Sequence, residues 1–430
     1  MFKTLSNGQR ISFTEYNKDR SKSILFLHGN GEDSHTYDSI INELSDYHLI
    51  LMDSRGHGES DKGKLSYKLM AEDTYLLLNE LNIDEVNVVG YSDGGIIALY
   101  LSLIDETLVK KMFLLGVNYD TDGLKDKTVE EIKREFKETK SEYLKLMLNE
   151  PHLKINDLKA IDSRTIIITS DSDCIKMDHS ISLKENIKNT SFYNLKDVRH
   201  EELVDNPRTI EIIKQELSLD IYYEDNHVIV VDKPCGVLSQ EDKFNKDDLL
   251  NQVKSYLKFK YNKPGNVYLA LISRLDRNVS GLMVFSKSTK ATERLNCERP
   301  VKTYQALVLG KLDKMEGTIT LKLSKDEDKR IAYIDEKSGK NSVTHYKVVK
   351  EFDNYSLLDV SIDTGRFHQI RFTMSYIGHP ILGDHKYNNG VEYNGLEIAL
   401  DAYRVKFIHP VTKDDIIIER EKDLTGLIRK

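Results

Sequence analysis

Between residues 23 and 195 the chain sets down six short apolar runs, SILFLHG, YHLILMD, EVNVVGYS, KKMFLLGV, RTIIITS and TSFYNL, separated by helix-like segments. Runs without polar alternation have to be covered on both faces, and the intervening helices supply the cover. The first half is therefore expected to be α/β, with a mostly parallel sheet and helices on both faces. Between residues 121 and 160 the rhythm changes to DGLKDKTVEEIKREFKETKSEYLKLML, charged but with Val129, Ile132 and Phe136 at helical spacing, which predicts a small cap. Past residue 220 strand-like stretches dominate (HVIVVD, LMVFSKS, YQALVLG, TITLKL, VTHYKVV, YSLLDVSI), with helices expected at DLLNQVKSYLKF and FHQIRFTMSYIG. That is an α+β pattern on a mixed or antiparallel sheet. A chain of 430 residues exceeds one ordinary core, and the change of rhythm predicts two domains, 1–219 and 220–430.

Charge sharpens the division. Residues 1–220 carry 28 Lys and Arg against 40 Asp and Glu, and the remainder carries 34 against 30. The acidic half would repel a polyanion, whereas the mildly basic half can approach one where its arginines cluster. No apolar run approaches the roughly 20 residues of a membrane span, and MFKTLSNGQRISFTEYN lacks the apolar segment of a signal peptide. No membrane association is expected, and the cytoplasm is the expected location. Cys174, Cys235 and Cys297 are odd in number and far apart, against a disulfide frame or a zinc site.

EVNVVGYSDGGIIALYLSL reads as strand, sharp turn and helix, with Ser92 at the apex of a GxSxG turn. A serine hydroxyl is a poor nucleophile near neutral pH and needs an adjacent base. A later strand, RTIIITSDSDCI, offers the acids Asp171 and Asp173, and YNLKDVRHEELVDNP offers His200. With HGNG at 28–31 and DSRGHGES at 53–60, this stretch resembles the α/β-hydrolase superfamily over residues 8–217. The resemblance implies Ser92 as nucleophile, His200 as base and acid, and Asp173, preferred to Asp171, as the group that orients the imidazole. It also implies an oxyanion hole from the backbone amides of Asn30 and Asp93, loop-shaping roles for His28 and His57, and a small-molecule ester or related substrate.

SRLDRNVSG at 273–281 places the carboxylate of Asp276 between Arg274 and Arg277. Burial raises a carboxylate by up to about 3 to 5 pKa units and a nearby guanidinium lowers it by about 1 to 3, so arginines could keep a buried acid anionic. VKTYQALVLG at 301–310, TGRFHQIRFTMSYIGHPILGDHKY at 364–387 and DNHVIVVDKPCGVLSQ at 225–240 accompany it. In that order the four stretches resemble the RluA-type pseudouridine synthases across residues 221–420. The resemblance implies isomerisation of a uridine in structured ribosomal or transfer RNA, with no metal or organic cofactor. Asp276 would be the nucleophile, Tyr304 would stack on the uracil, and Arg371 would pair with Asp276. Arg274, Arg277, Arg366 and His368 would contact RNA. The chain departs from the family pattern at Ser273, Val279 and Asp401. The reading is thus a bifunctional chain. Its rival is one catalytic half with the other serving as a binding or scaffold module.

Overall fold

The structure, a computed structural model, describes residues 1–241, 248–387 and 397–429. The chain divides into two units, Met1–Ser218 and Leu219–Lys430.

The first unit contains β1 (Phe2–Thr4), β2 (Arg10–Tyr16), β3 (Ser23–Leu27), β4 (His48–Met52), β5 (Val86–Tyr91), β6 (Val109–Leu115), β7 (Arg164–Ser170) and β8 (Thr190–Leu195). They lie in the order β1-β2-β4-β3-β5-β6-β7-β8. The pairs β1/β2 and β2/β4 are antiparallel and all others are parallel. Every residue of β3, β4, β5 and β7 is buried, which is what their continuous apolar composition demands. The helices are α1 (Tyr67–Glu80), α2 (Asp93–Ile104), α3 (Asp126–Thr139), α4 (Glu142–Asn149), α5 (Ile155–Ala160), α6 (Met177–Asn186) and α7 (Pro207–Ser218). Strand order reverses between β3 and β5, so the loops at their carboxyl ends diverge and leave a crevice, the usual ligand position in such sheets. Asn30 follows β3 and Ser92 follows β5, at the rim of that crevice.

Three helices, α3 to α5, fill the interval between β6 and β7. Ile132 of α3 packs with Leu124 and Ile175 in a small cluster apart from the main core, joined by the half-buried Val129, Leu144 and Met147. A helix with one narrow apolar stripe can only sit on something, and here it roofs the crevice.

The second unit contains β9 (Ile221–Glu224), β10 (Val228–Lys233), β11 (Ala270–Leu271), β12 (Ser280–Ser286), β13 (Val301–Leu309), β14 (Glu316–Asp326), β15 (Ile331–Ile334), β16 (Lys340–Glu351), β17 (Tyr355–Ile362), β18 (Leu400–Ile408) and β19 (Asp415–Glu419). The sheet runs β15-β14-β16-β17-β13-β18-β12-β10-β9, with β11 on β12 and β19 on β18. The β12/β18 pair is parallel and every other pair is antiparallel. Helices α8 (Leu249–Lys260), α9 (Thr289–Cys297) and α10 (Gln369–Tyr376) complete it. Leu249, Val253, Tyr256 and Leu257 of α8 and Ile370 and Met374 of α10 join one core with β10, β12, β13 and β17. Along β13, Tyr304, Ala306 and Val308 are buried, as the period-2 geometry of a strand against a core requires. Among the described residues no helix is long and apolar enough to cross a membrane.

Candidate active sites

Ser92 sits between β5 and α2 with φ 51° and ψ −117°, a left-handed conformation that costs about 1–3 kcal/mol in a non-glycine residue. Its neighbours have to be glycine. A Cβ on Gly94 would stand 1.9 Å from the carbonyl oxygen of Leu27, and one on Gly90 would stand 2.6 Å from that of Gly94. The strain lifts the hydroxyl off the sheet toward His200, whose Nε2 lies 3.0 Å from Ser92 Oγ. On the other side of the ring, Nδ1 lies 2.7 Å from Asp173 Oδ1. Asp173 is buried, and its Oδ1 also accepts from the backbone N–H of Ile175 at 3.1 Å. Burial opposes charging of His200, but the Asp173 carboxylate, with Cys174 nearby, outweighs it and raises the imidazole above its ordinary value. Asp171 is exposed and accepts from the backbone N–H of Asp197 at 2.9 Å, away from the ring.

In front of Ser92 lies a cavity of about 300 Å³, walled by Ile96, Leu124, Ile132, Leu144, Met147 and Ile175 and reached by Asn30, Asp93 and His200. As the first residue of α2, Asp93 has an N–H with no intrahelical acceptor. The two oxyanion candidates are tied together, because Asn30 Nδ2 donates to Asp93 Oδ2 at 2.7 Å. Burial pushes the Asp93 carboxyl up to about 6 against the hydrogen bonds from Asn30 and Tyr67. His28 Nε2 accepts from the N–H of Ser54 at 3.0 Å, and its buried ring is pushed down to about 4 by desolvation, so it braces a loop as a neutral side chain. Among the described residues, Asp173, Cys174 and His200 form one group whose donor atoms lie within 4.8 Å of one another. Two of the three are engaged in the Ser92 chain of hydrogen bonds.

Asp276 follows β11 in the second unit, and of the arginines named from the sequence it meets Arg371 rather than those beside it in the chain. Neither chain neighbour holds it: Arg274 and Arg277 are exposed, and Arg277 Nε donates instead to the carbonyl of Gly236 at 2.8 Å. The cation is Arg371 of α10, whose Nη1 lies 3.0 Å from Asp276 Oδ2. Nor is the acid fully buried, since its side chain keeps 32% of its exposure. An acid meant to meet a nucleotide needs an open side, and the buried guanidinium supplies the fixed positive field from behind. Arg371 is itself fixed by a bidentate pair with the buried Asp384, Nε to Oδ2 at 2.7 Å and Nη2 to Oδ1 at 2.8 Å.

His368, expected as an RNA contact, is buried instead, with Nε2 3.5 Å from Asp276 Oδ2. Desolvation, then the charge of Arg371, pushes its imidazole down to about 3, so it is neutral. Tyr387 Oη accepts the N–H of Ala332 at 2.7 Å and lies 2.8 Å from His368 Nδ1, which assigns the ring proton to Nε2, facing the carboxylate. Tyr304 is buried, and its phenol is raised by desolvation and by the charge of Asp276, so it stays protonated at neutral pH. Arg366 is half-buried, with Nε donating to the carbonyl of Asn341 at 2.9 Å.

Sequence reasoning passed over two buried lysines. Lys233 Nζ donates to the carbonyls of Pro234, Val237 and Arg277 at 2.9, 2.8 and 3.0 Å, pinning the segment after β10 to the segment after Asp276. Desolvation lowers it to about 8. Lys302, two residues before Tyr304 and on the same face of β13, is buried with no hydrogen-bond partner among the described residues. Desolvation and the charge of Lys233 lower it to about 7. Both lysines, and Asp384, lie inside stretches already singled out. The available signal was a charged residue embedded in a strand-like apolar run.

Residues 227–376 match the family described as RNA pseudouridylate synthase, and residues 22–141 match the alpha/beta hydrolase fold. The chain is 33% identical over 234 residues to YlyB, an RNA pseudouridine synthase of Bacillus subtilis, covering 52% of this chain and 77% of that one. It is 29% identical over 221 residues to ribosomal large subunit pseudouridine synthase D of Buchnera aphidicola, covering 47% and 69%. An esterase from Exiguobacterium antarcticum is similar to 51% of this chain over 99% of its own length, at 19% identity and a TM-score of 0.46. The chain belongs to the RNA pseudouridine synthases and carries an α/β-hydrolase-fold domain ahead of its synthase domain.

Proposed function

We propose that residues 220–430 isomerise a uridine in structured RNA through Asp276 as nucleophile, and that residues 1–219 form a serine hydrolase with the triad Ser92, His200 and Asp173. The single observation that carries the first half is the 3.0 Å contact of Arg371 with Asp276, buttressed from behind by Asp384. The pair sets a fixed positive charge behind a carboxylate at the edge of a cleft while its outer face stays open to a base. Tyr304 packs beneath the uracil, its protonated phenol serving as a stacking surface. Arg274 and Arg277, both exposed, and the half-buried Arg366 would meet phosphates. The target base has to leave its stack, at a few kcal/mol, so a loop uridine is the favoured substrate. A relative named for the ribosomal large subunit favours ribosomal over transfer RNA. Both activities are proposed for the cytoplasm.

RNA labelled with tritium at carbon 5 of uridine tests this half. The native chain is expected to release label from a ribosomal RNA pool and Asp276→Ala to release none. Equal release by the two would end the proposal.

The hydrolase half rests on the chain of contacts from Ser92 through His200 to Asp173, at 3.0 and 2.7 Å. The base takes the hydroxyl proton, Asp173 stabilises the imidazolium, and the N–H groups of Asn30 and Asp93 meet the oxyanion. A fluorophosphonate probe should label the native chain and not Ser92→Ala.

A further inference from the structure

The cavity in front of Ser92 is lined by acids, with one imidazole among them, that of His200, which is paired with Asp173. Glu32, Asp93 and Glu150 line it, and no lysine or arginine does so among the described residues. Two of these acids are committed to the protein. Glu32 Oε2 accepts from the N–H of Gly29 at 3.1 Å and from Thr36 Oγ1 at 2.8 Å. Glu150 Oε2 accepts from the N–H of Tyr67 at 2.9 Å and from Ser66 Oγ at 3.2 Å.

Asp93 accepts as many hydrogen bonds, but it is buried where Glu32 and Glu150 are half-buried, and it adjoins Ser92. Its residue is 5% exposed, and its carboxylate receives the amide of Asn30 and the phenol of Tyr67. A carboxylate offers about four acceptor positions, these two partners take about half of them, and Asp93 lines the cavity. A buried anion so placed is costly without a cation, and the cavity wall cannot supply a free one, because His200 is already paired with Asp173. The ligand can. Asp93 follows the nucleophile directly and is tied to Asn30, so its carboxylate stands beside both amides of the oxyanion hole. A cation held there falls one or two carbons from the reacting carbonyl. The remaining wall, Ile96, Leu124, Ile132 and Met147, suits a side chain of a few carbons in about 300 Å³.

We infer that this cavity takes short acyl esters carrying a primary ammonium on the α or β carbon, aminoacyl esters in chemical class, with Asp93 binding the ammonium. The inference rests on the serine-hydrolase reading proposed above. Ser92 Oγ bonds to the carbonyl carbon as its proton passes to His200 Nε2. The bond to the leaving oxygen then breaks, and that oxygen takes the proton. Water next attacks the acyl-serine and gives a proton to His200. The bond to Ser92 breaks, the proton returns to Oγ, and the amino acid is released.

Benzyl esters of L-valine, of 3-methylbutanoic acid and of succinic acid, the last with one free carboxylate, test this with the full chain at pH 7. Each kcat/KM is divided by that ester's own rate with hydroxide, which removes the intrinsic activation by the ammonium. The valine ester is expected to exceed the neutral ester by about tenfold or more, and both to exceed the hemisuccinate. Asp93→Asn should bring the valine-to-neutral ratio to within about twofold of unity, whatever its absolute rate. A native ratio at or below one overturns the inference without recourse to any variant, and so does a ratio unchanged in Asp93→Asn. In both cases cleavage of the neutral ester leaves the hydrolase reading standing. Failure to cleave any of the three esters overturns the inference, and where the fluorophosphonate also fails to label Ser92 it overturns the hydrolase reading as well.

Discussion

The surroundings of Ser92 and of Asp276 are built with opposite charge. Ser92 faces acids: Asp173 behind its histidine, Asp93 beside it and Glu32 in the wall. Asp276 faces Arg371, a neutral His368 and a neutral Tyr304. The acidity of the nucleophile explains the difference. A serine hydroxyl has to lose a proton during the reaction, so negative charge behind the base helps it. An aspartate has lost its proton already, and the protein has only to keep it that way at the margin of a low-dielectric cleft. The enclosure differs as well. The hydrolase cavity is roofed by apolar residues of α3 and α4, whereas Asp276 keeps about a third of its exposure, as a macromolecular substrate requires.

This contrast can be broken in several places. Removing the proton acceptor should have the largest effect: His200→Ala is expected to lower ester hydrolysis by about 10⁴-fold, seen in steady-state kinetics, with tritium release from RNA unaltered. Arg371→Met is expected next, lowering tritium release by about 10²- to 10³-fold while ester hydrolysis holds. It also strands the buried Asp384, and a destabilisation of about 3–5 kcal/mol should appear in urea unfolding.

Lys302 sharpens the comparison by an effect of opposite sign. A buried amine without a partner costs stability, so Lys302→Met should stabilise the chain by about 1–3 kcal/mol at pH 7. The folded-state value of about 7 lies below the unfolded value. The unfolded chain therefore holds the extra proton from about pH 7 to about pH 10.4, and native stability rises with pH across that window. The difference in urea midpoint between the native chain and the variant should shrink from pH 7 to pH 10.

The smallest effect concerns the pH limb of ester hydrolysis. His200 has to be neutral to act as base, and Asp173 holds its value above the ordinary imidazole range. Activity should therefore climb with pH through a midpoint above 6.5, and Asp173→Asn should lower that midpoint by about one unit or more.

The parts legible in sequence were those governed by local burial. Strands β3 to β7 announce themselves because a strand covered on both faces cannot carry polar alternation, whereas the edge strand β8 buries alternate residues. RISFTEY of β2 and LDAYRVKFI of β18 are strands whose composition is mixed. β2 packs through only part of its length, and β18 draws its place from β12 and β13, which are far away in sequence. Ser92, Asp173 and His200, which the structure brings into one chain of hydrogen bonds, could be singled out because each follows a recognisable strand. For Asp276 proximity in sequence was a poor guide and only the family resemblance pointed to Arg371: Arg274 and Arg277 are neighbours in the chain, but both side chains are exposed. Arg371, 95 residues away, reaches the carboxylate because α10 packs across the sheet. Lys233 and Lys302 escaped notice because a charge inside a strand reads as a solvated edge until burial is known.

The central claim is that two independent nucleophiles, one hydroxyl and one carboxylate, serve two reactions in one polypeptide. The most direct test assays Ser92→Ala and Asp276→Ala side by side for ester cleavage and for tritium release from uridine-labelled RNA. The account predicts that Ser92→Ala loses only the first activity and Asp276→Ala only the second. Loss of both activities in either variant, or retention of tritium release by Asp276→Ala, would contradict it.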